Sequence, residues 1–143
     1  KFFVMNDRHH DILRIRPELK KLKTFDSMRS EERFQNETLR PVLKLQNPLL
    51  IAAFINYAVK HKNVFFGLGN EKKLHYIETA ILKDQKFRNA LKGMLLGAFT
   101  VSEYQEYCQN SSQLNKRMMH MVITRLQDQL QLLVPSDSLE KTA

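Results

Sequence analysis

Apolar residues along this chain return every three to four positions rather than every second one, the spacing that gathers them on one side of an α-helix. The pattern is sharpest in QLNKRMMHMVITRLQDQLQLL, residues 113–133. There Leu114, Met118, Val122, Leu126, Leu130 and Leu133 form one stripe, with Met119 and Ile123 beside it. Gln113, Lys116, Arg117, His120, Thr124, Gln127 and Gln131 occupy the opposite side. The spacing predicts a helix that starts at Asn110-Ser111-Ser112 and runs to about Val134, where Pro135 ends it. Such a helix is about 33 Å long, as long as a domain of this size is wide. Its apolar stripe is therefore expected to overrun the chain's own core. Met118, Val122, Leu126, Leu130 and Leu133 become the candidate surface for a second copy, making a homo-oligomer the expected assembly.

Upstream, the same reading yields shorter elements. Residues 1–26 mix charge with few apolar positions and contain Pro17, which predicts a mobile arm with a short helix around Glu18 to Lys23. Ser27 or Ser30 can cap the next segment, where Phe34, Leu39, Leu43 and Leu45 recur and Pro41 forces a kink or a break. Asn47-Pro48 reads as a restart, a capping oxygen followed by a proline at the first helical position. The helix from there to about His61 is apolar on most sides, through Leu49, Leu50, Ile51, Phe54, Ile55 and Val59, which puts it at the centre of the core.

KNVFFGLGN then stops the helix with two glycines, and Asn70 caps a helix carrying Leu74, Ile77, Ile81 and Leu82. Asp84 caps another, with Phe87, Leu91, Leu95 and Phe99 in step and Gly93 and Gly97 on a face that would admit a close neighbour. Thr100-Val101-Ser102-Glu103 fits a capping box before a short helix to Cys108. Residues 136–143 read as a frayed tail.

Composition agrees with this pattern and narrows it. With 143 residues, 43% hydrophobic, four Gly, four Pro and no Trp, the chain is expected to be all-α: a single-domain bundle of about five to six helices over residues 27–135. The lone Cys108 excludes an intrachain disulfide and reads as a small buried hydrophobe at the end of its helix. Pro48 to Val59 is too short for a bilayer that needs about 20 residues, and KFFVMND lacks the long apolar run of a secretory signal. The expected setting is the cytoplasm, without a membrane.

Charge adds a partner class. The formal net charge is +8, and the excess lies before residue 100, where Lys60, Lys62, Lys72, Lys73, Lys83, Lys86, Arg88 and Lys92 sit among few acids. That field favours an anionic partner, although a solvated helix surface has the same composition. The candidate binding residues are Gln113, Lys116, Arg117 and His120, with Lys83, Lys86, Arg88 and Lys92. A helix over Val101 to Cys108, a tight turn and a second helix presenting Gln113, Lys116, Arg117 and His120 would also match a DNA-binding helix-turn-helix. The turn has no glycine, and Arg117 falls near a position that wants an apolar residue.

Catalytic chemistry finds little support. His9, His10, His61, His75 and His120 lack a spacing to Asp, Glu or Cys that would set two metal ligands on one face. Gly67-Leu68-Gly69 lacks the third glycine of a phosphate-cradling loop. No catalytic residue, metal site or cofactor is assigned.

The runs FQNETLRPVLKLQN, NVFFGLGNEKKLHYIETAILKDQKFRNALKGMLLGAFTVSEYQEY and NSSQLNKRMMHMVITRLQDQLQLL, within residues 34–133, resemble short bacterial proteins. Some of these carry the label glyoxalase, or glyoxalase-related enzyme of AraC type. The glyoxalase part implies paired βαβββ modules holding a metal through His and Glu, a metal-dependent lyase. The AraC part implies helix-turn-helix DNA binding, compatible with Thr100 to Arg125. The expectation from the residues themselves is a non-enzymatic, self-associating helical protein with a basic surface for an anionic partner.

Overall fold

A computed structural model of the chain describes residues 7–17 and 30–135. Those residues form α1 (Arg8–Ile15), α2 (Ser30–Lys60), α3 (Asn70–Lys83), α4 (Gln85–Leu96), α5 (Val101–Cys108) and α6 (Ser111–Gln127). Short 3-10 turns occupy Val64–Gly67 and Leu130–Leu132, and the described residues contain no strand. The chain is thus an all-α single-domain bundle, which leaves no place among them for βαβββ modules. Helices α2, α3, α4 and α6 pack on one another around the core, and α5 leans on α6. The predicted helix around Glu18 to Lys23 lies outside the described residues.

Helix α2 is continuous through both prolines, which corrects the expected break at Pro41 and restart at Pro48. Pro41 cannot donate to the Glu37 carbonyl one α-turn back, and its ring crowds that carbonyl. The chain widens there into a π turn over Gln35–Leu39, with the Arg40 N–H reaching Gln35 O, and Arg16 Nη2 donates to Glu37 O at 3.3 Å. Pro48 and Lys44 lie on the exposed side, so the carbonyl left without a donor faces water. By length and composition α2 could cross a membrane, which the shorter predicted helix could not. Core helices satisfy the same criterion, and here Leu50, Phe54 and Ala58 are fully buried within the chain.

Phe54 is the hub of that core, in ring contact with Tyr57, Phe65, Tyr76 and Phe87, while Phe34, Phe99 and Tyr107 make a second aromatic group. Such edge and stacked contacts add to the area each ring removes from water. The predicted caps at Asp84 and Thr100 are present. Asp84 Oδ1 accepts from Phe87 N, and Thr100 and Glu103 form the reciprocal capping box.

The carboxyl-terminal helix is where the structure departs most from the pattern. It ends at Gln127 rather than near Val134. Gln129 Nε2 donates to Arg125 O, and the same side chain pairs with Asn47, so the chain turns and carries Leu133 back into the core. Met118, Val122, Leu126 and Leu133 are at most 1% exposed and Leu130 is half-buried. The stripe expected to overrun the monomer is instead consumed by it, so those five residues offer no free seam to a second copy.

Four smaller expectations also change. Residues 7–17 are not a free arm: α1 is tied by Arg8 Nη2 to Gly97 O at 3.0 Å and by Arg16 beyond its end. Gly93 and Gly97 are exposed, and a Cβ at Gly93 would meet nothing within 4 Å, so no helix packs closely there. Lys62 and Asn63, both at positive φ, end α2 in place of the glycines. Cys108 is exposed, because the short α5 turns only Tyr107 fully inward.

Candidate functional site

The π turn and first turns of α2 run alongside α6, and the two are tied at both ends. At one end Arg117 Nη1 donates to Gln35 Oε1 and its other amino group stands 3.7 Å from Glu31. At the other, Asn47 and Gln129 exchange two amide hydrogen bonds of 2.8 Å. Between the ties lies an open trough of about 830 Å³.

Arg40 and Lys44 reach the trough from α2, four residues apart and so on one face. Lys116, His120, Thr124 and Arg125 reach it from α6, and Leu43 and Met121 form its apolar floor. Burial first, and the Arg40 charge second, pull the Arg125 pKa below its ordinary value, with Asp128 partly opposing them. Arg40 uses Nε to reach Asn36 Oδ1 at 3.1 Å. Among the described residues Lys44, Lys116, His120 and the Arg125 guanidinium have no hydrogen-bond or ion-pair partner. The trough therefore gathers several cations against one carboxylate, Asp128.

All four predicted residues of α6, Gln113, Lys116, Arg117 and His120, line this trough. Arg117 differs from the rest because it is committed to holding α2. Arg40, Lys44 and Arg125 complete the site and were not predicted. The spacing of Arg40 and Lys44 was the available signal, but it needed the knowledge that the helix continues through Pro41.

The other predicted cations scatter. Arg88 Nη1 donates to Leu82 O at 2.7 Å and rims a second groove of about 470 Å³, where Leu82, Met119 and Ile123 meet Lys116 and His120. Lys83 borders a shallow groove with Tyr57, His61 and Asp84. In that groove the Tyr57 hydroxyl donates to Asp84 Oδ2 at 3.0 Å, and burial first, then Asp84, push the phenol up to about 12. Lys86 and Lys92 lie on α4, away from all three grooves.

Helices α5 and α6 follow in the order a helix-turn-helix requires, joined by Gln109-Asn110. Yet α6 lies between α2 on one side and α3 with α4 on the other, and its polar residues line grooves on both flanks. No group of three or more His, Cys, Asp or Glu among the described residues could hold a metal ion. No protein-family model matches the chain, and no match was found among curated proteins or solved structures.

Proposed function

We propose that this chain is a non-enzymatic helical binding protein that takes up an anionic partner in the trough between α2 and α6. The observation that carries the reading is that Arg40 and a half-buried Arg125 line one trough, the Arg125 guanidinium having no hydrogen-bond or ion-pair partner among the described residues. Like charges held together and partly dehydrated are costly, and a bound anion relieves that cost while accepting charge-assisted hydrogen bonds. Lys44 and Lys116 extend the same field along the walls, and His120 adds a hydrogen-bonding ring.

Duplex DNA is the less favoured occupant. A recognition helix has to enter a major groove about 12 Å wide, with its neighbours held clear. Here α6 is flanked on both sides and its Arg117 is engaged with Gln35 and Glu31.

Calorimetric titration with pyrophosphate at moderate salt tests the proposal. Arg40→Gln/Arg125→Gln is expected to weaken binding by about tenfold or more, since each group gives charge-assisted bonds to phosphate. Lys86→Gln/Lys92→Gln removes the same formal charge outside the trough and is expected to change affinity less than about threefold. Equal losses in the two variants would assign binding to the general field of the protein and overturn the reading.

A further inference from the structure

We infer that the trough takes a small ligand bearing at least two phosphate groups on a hydroxyl-rich scaffold, a phosphorylated sugar or polyol. This rests on the anion-binding reading above and narrows it by size, charge and the chemistry of the walls.

Size comes first. The tie residues on α2, Gln35 and Asn47, are twelve residues apart, which leaves a trough about 18 Å long. A volume of about 830 Å³ falls within the range of small-molecule sites, roughly 300–1,000 Å³. An extended polymer would have to climb over the Asn47–Gln129 amide pair at one end and the Arg117–Gln35 bond at the other. A partner helix about 10 Å across would need apolar anchors, and Leu43, only 2% exposed, with Met121 gives it little to grip.

Charge comes second. Arg40, Lys44, Lys116 and Arg125 face one acid in the trough, Asp128. A single phosphate carries up to about two negative charges near neutral pH, so it would leave part of this field uncompensated. Arg125 sits toward the Gln129 end and Lys116 toward the Arg117 end, about 13 Å of helix apart on α6, with Arg40 and Lys44 facing them from α2. The long side chains can close on two phosphates of one ligand from opposite ends, with the planar guanidinium forks suited to bidentate contact.

The walls come third. Thr124 stands between Lys116 and Arg125, and Gln113 lies at the Arg117 end, so a hydroxyl and an amide are available to a polyol scaffold. No Phe, Tyr or Trp lines the trough, and the single imidazole of His120 is not the row of rings on which successive bases of a nucleic-acid strand stack.

Calorimetry with fructose bisphosphate, pyrophosphate and a single-stranded oligonucleotide separates the possibilities. Fructose bisphosphate is expected to bind once per chain, about tenfold tighter than pyrophosphate, because hydroxyl hydrogen bonds add to the phosphate contacts. Thr124→Val is expected to narrow that margin while leaving pyrophosphate unchanged. Pyrophosphate binding as tightly as the sugar bisphosphate, or measurable binding of the oligonucleotide alone, would overturn the inference and leave the anion-binding reading intact. If Arg40→Gln/Arg125→Gln, checked by circular dichroism for a retained fold, binds every probe as well as the parent, both fall. Arg125→Gln alone gives the same comparison should the double variant lose its fold.

Discussion

Arg16 shows how one side chain can hold a segment that buries almost nothing. Helix α1 has no buried residue, and Leu13 and Ile15 remain 44% and 54% exposed. Arg16, at 7% exposure, makes a bidentate pair with Glu103 and also donates to the Ala98 and Glu37 carbonyls. Its Nε is buried without a partner, so the pair is not fully compensated. Burial raises the Glu103 carboxyl, but bonds from Arg16, the Thr100 N–H and the Thr38 hydroxyl outweigh it and hold the group below its ordinary value. A carboxylate depressed in this way contributes stability fully above the ordinary value, and that contribution is lost as pH falls through the folded one. Arg16→Ala would strand Glu103 as a buried charge and is expected to cost about 3–5 kcal/mol near neutral pH. The gap to the parent should shrink as pH falls below the ordinary carboxylate range, because protonation of Glu103 removes both the parent's ion pair and the variant's unpaired charge. Urea unfolding across that range measures it, and a gap that stays constant would mean that Arg16 acts through the two carbonyls instead.

At the scale of the element, α2 ends without the residue that usually ends helices. Lys62 and Asn63 have φ of 66° and 61°, and Asn63 N donates back to Ala58 O. A side chain in that left-handed region meets its own backbone, at a cost of roughly 1 kcal/mol that glycine avoids. Lys62→Gly is therefore expected to raise stability by about 0.5–1 kcal/mol, read as a higher urea midpoint with an unchanged slope. The nearby Gly67 and Gly69 attract attention in the sequence, yet neither has a positive φ. The elements legible in the sequence are those decided within one turn. Asp84 meets Phe87 N and Thr100 meets Glu103 N, each three residues on, and both caps can be named from the residues alone. Elements decided across the chain are not legible in that way. Helix α2 survives Pro41 with a carbonyl bond from Arg16, 21 residues away from Glu37, and α6 stops where Gln129 finds Asn47, 82 positions earlier.

At the scale of the whole molecule, the same division explains which half of the trough could be foreseen. Period alone sets Lys116 and His120 on the polar side of α6, but only packing brings Arg40 and Lys44 to face them. That packing turns a two-faced helix into a site, and it puts two guanidinium groups in one trough, of which only that of Arg40 is tied within the fold, to Asn36. Among the described residues the Arg125 guanidinium has no hydrogen-bond or ion-pair partner, and burial first, then Arg40, disfavour its charge, with Asp128 opposing them in part. A pair kept for binding rather than for folding should yield stability when it is relieved. Arg125→Gln keeps much of the aliphatic stem and a polar end while removing the repulsion. It is expected to raise the thermal midpoint at low salt, by the equivalent of about 0.5–1 kcal/mol, and to weaken pyrophosphate binding about tenfold. Added salt screens the Arg40 repulsion, so the gain in stability should shrink as ionic strength rises. A variant less stable than the parent at every salt concentration would mean that Arg125 is held by contacts within the fold, and the case for the trough as an anion site would lose its central support.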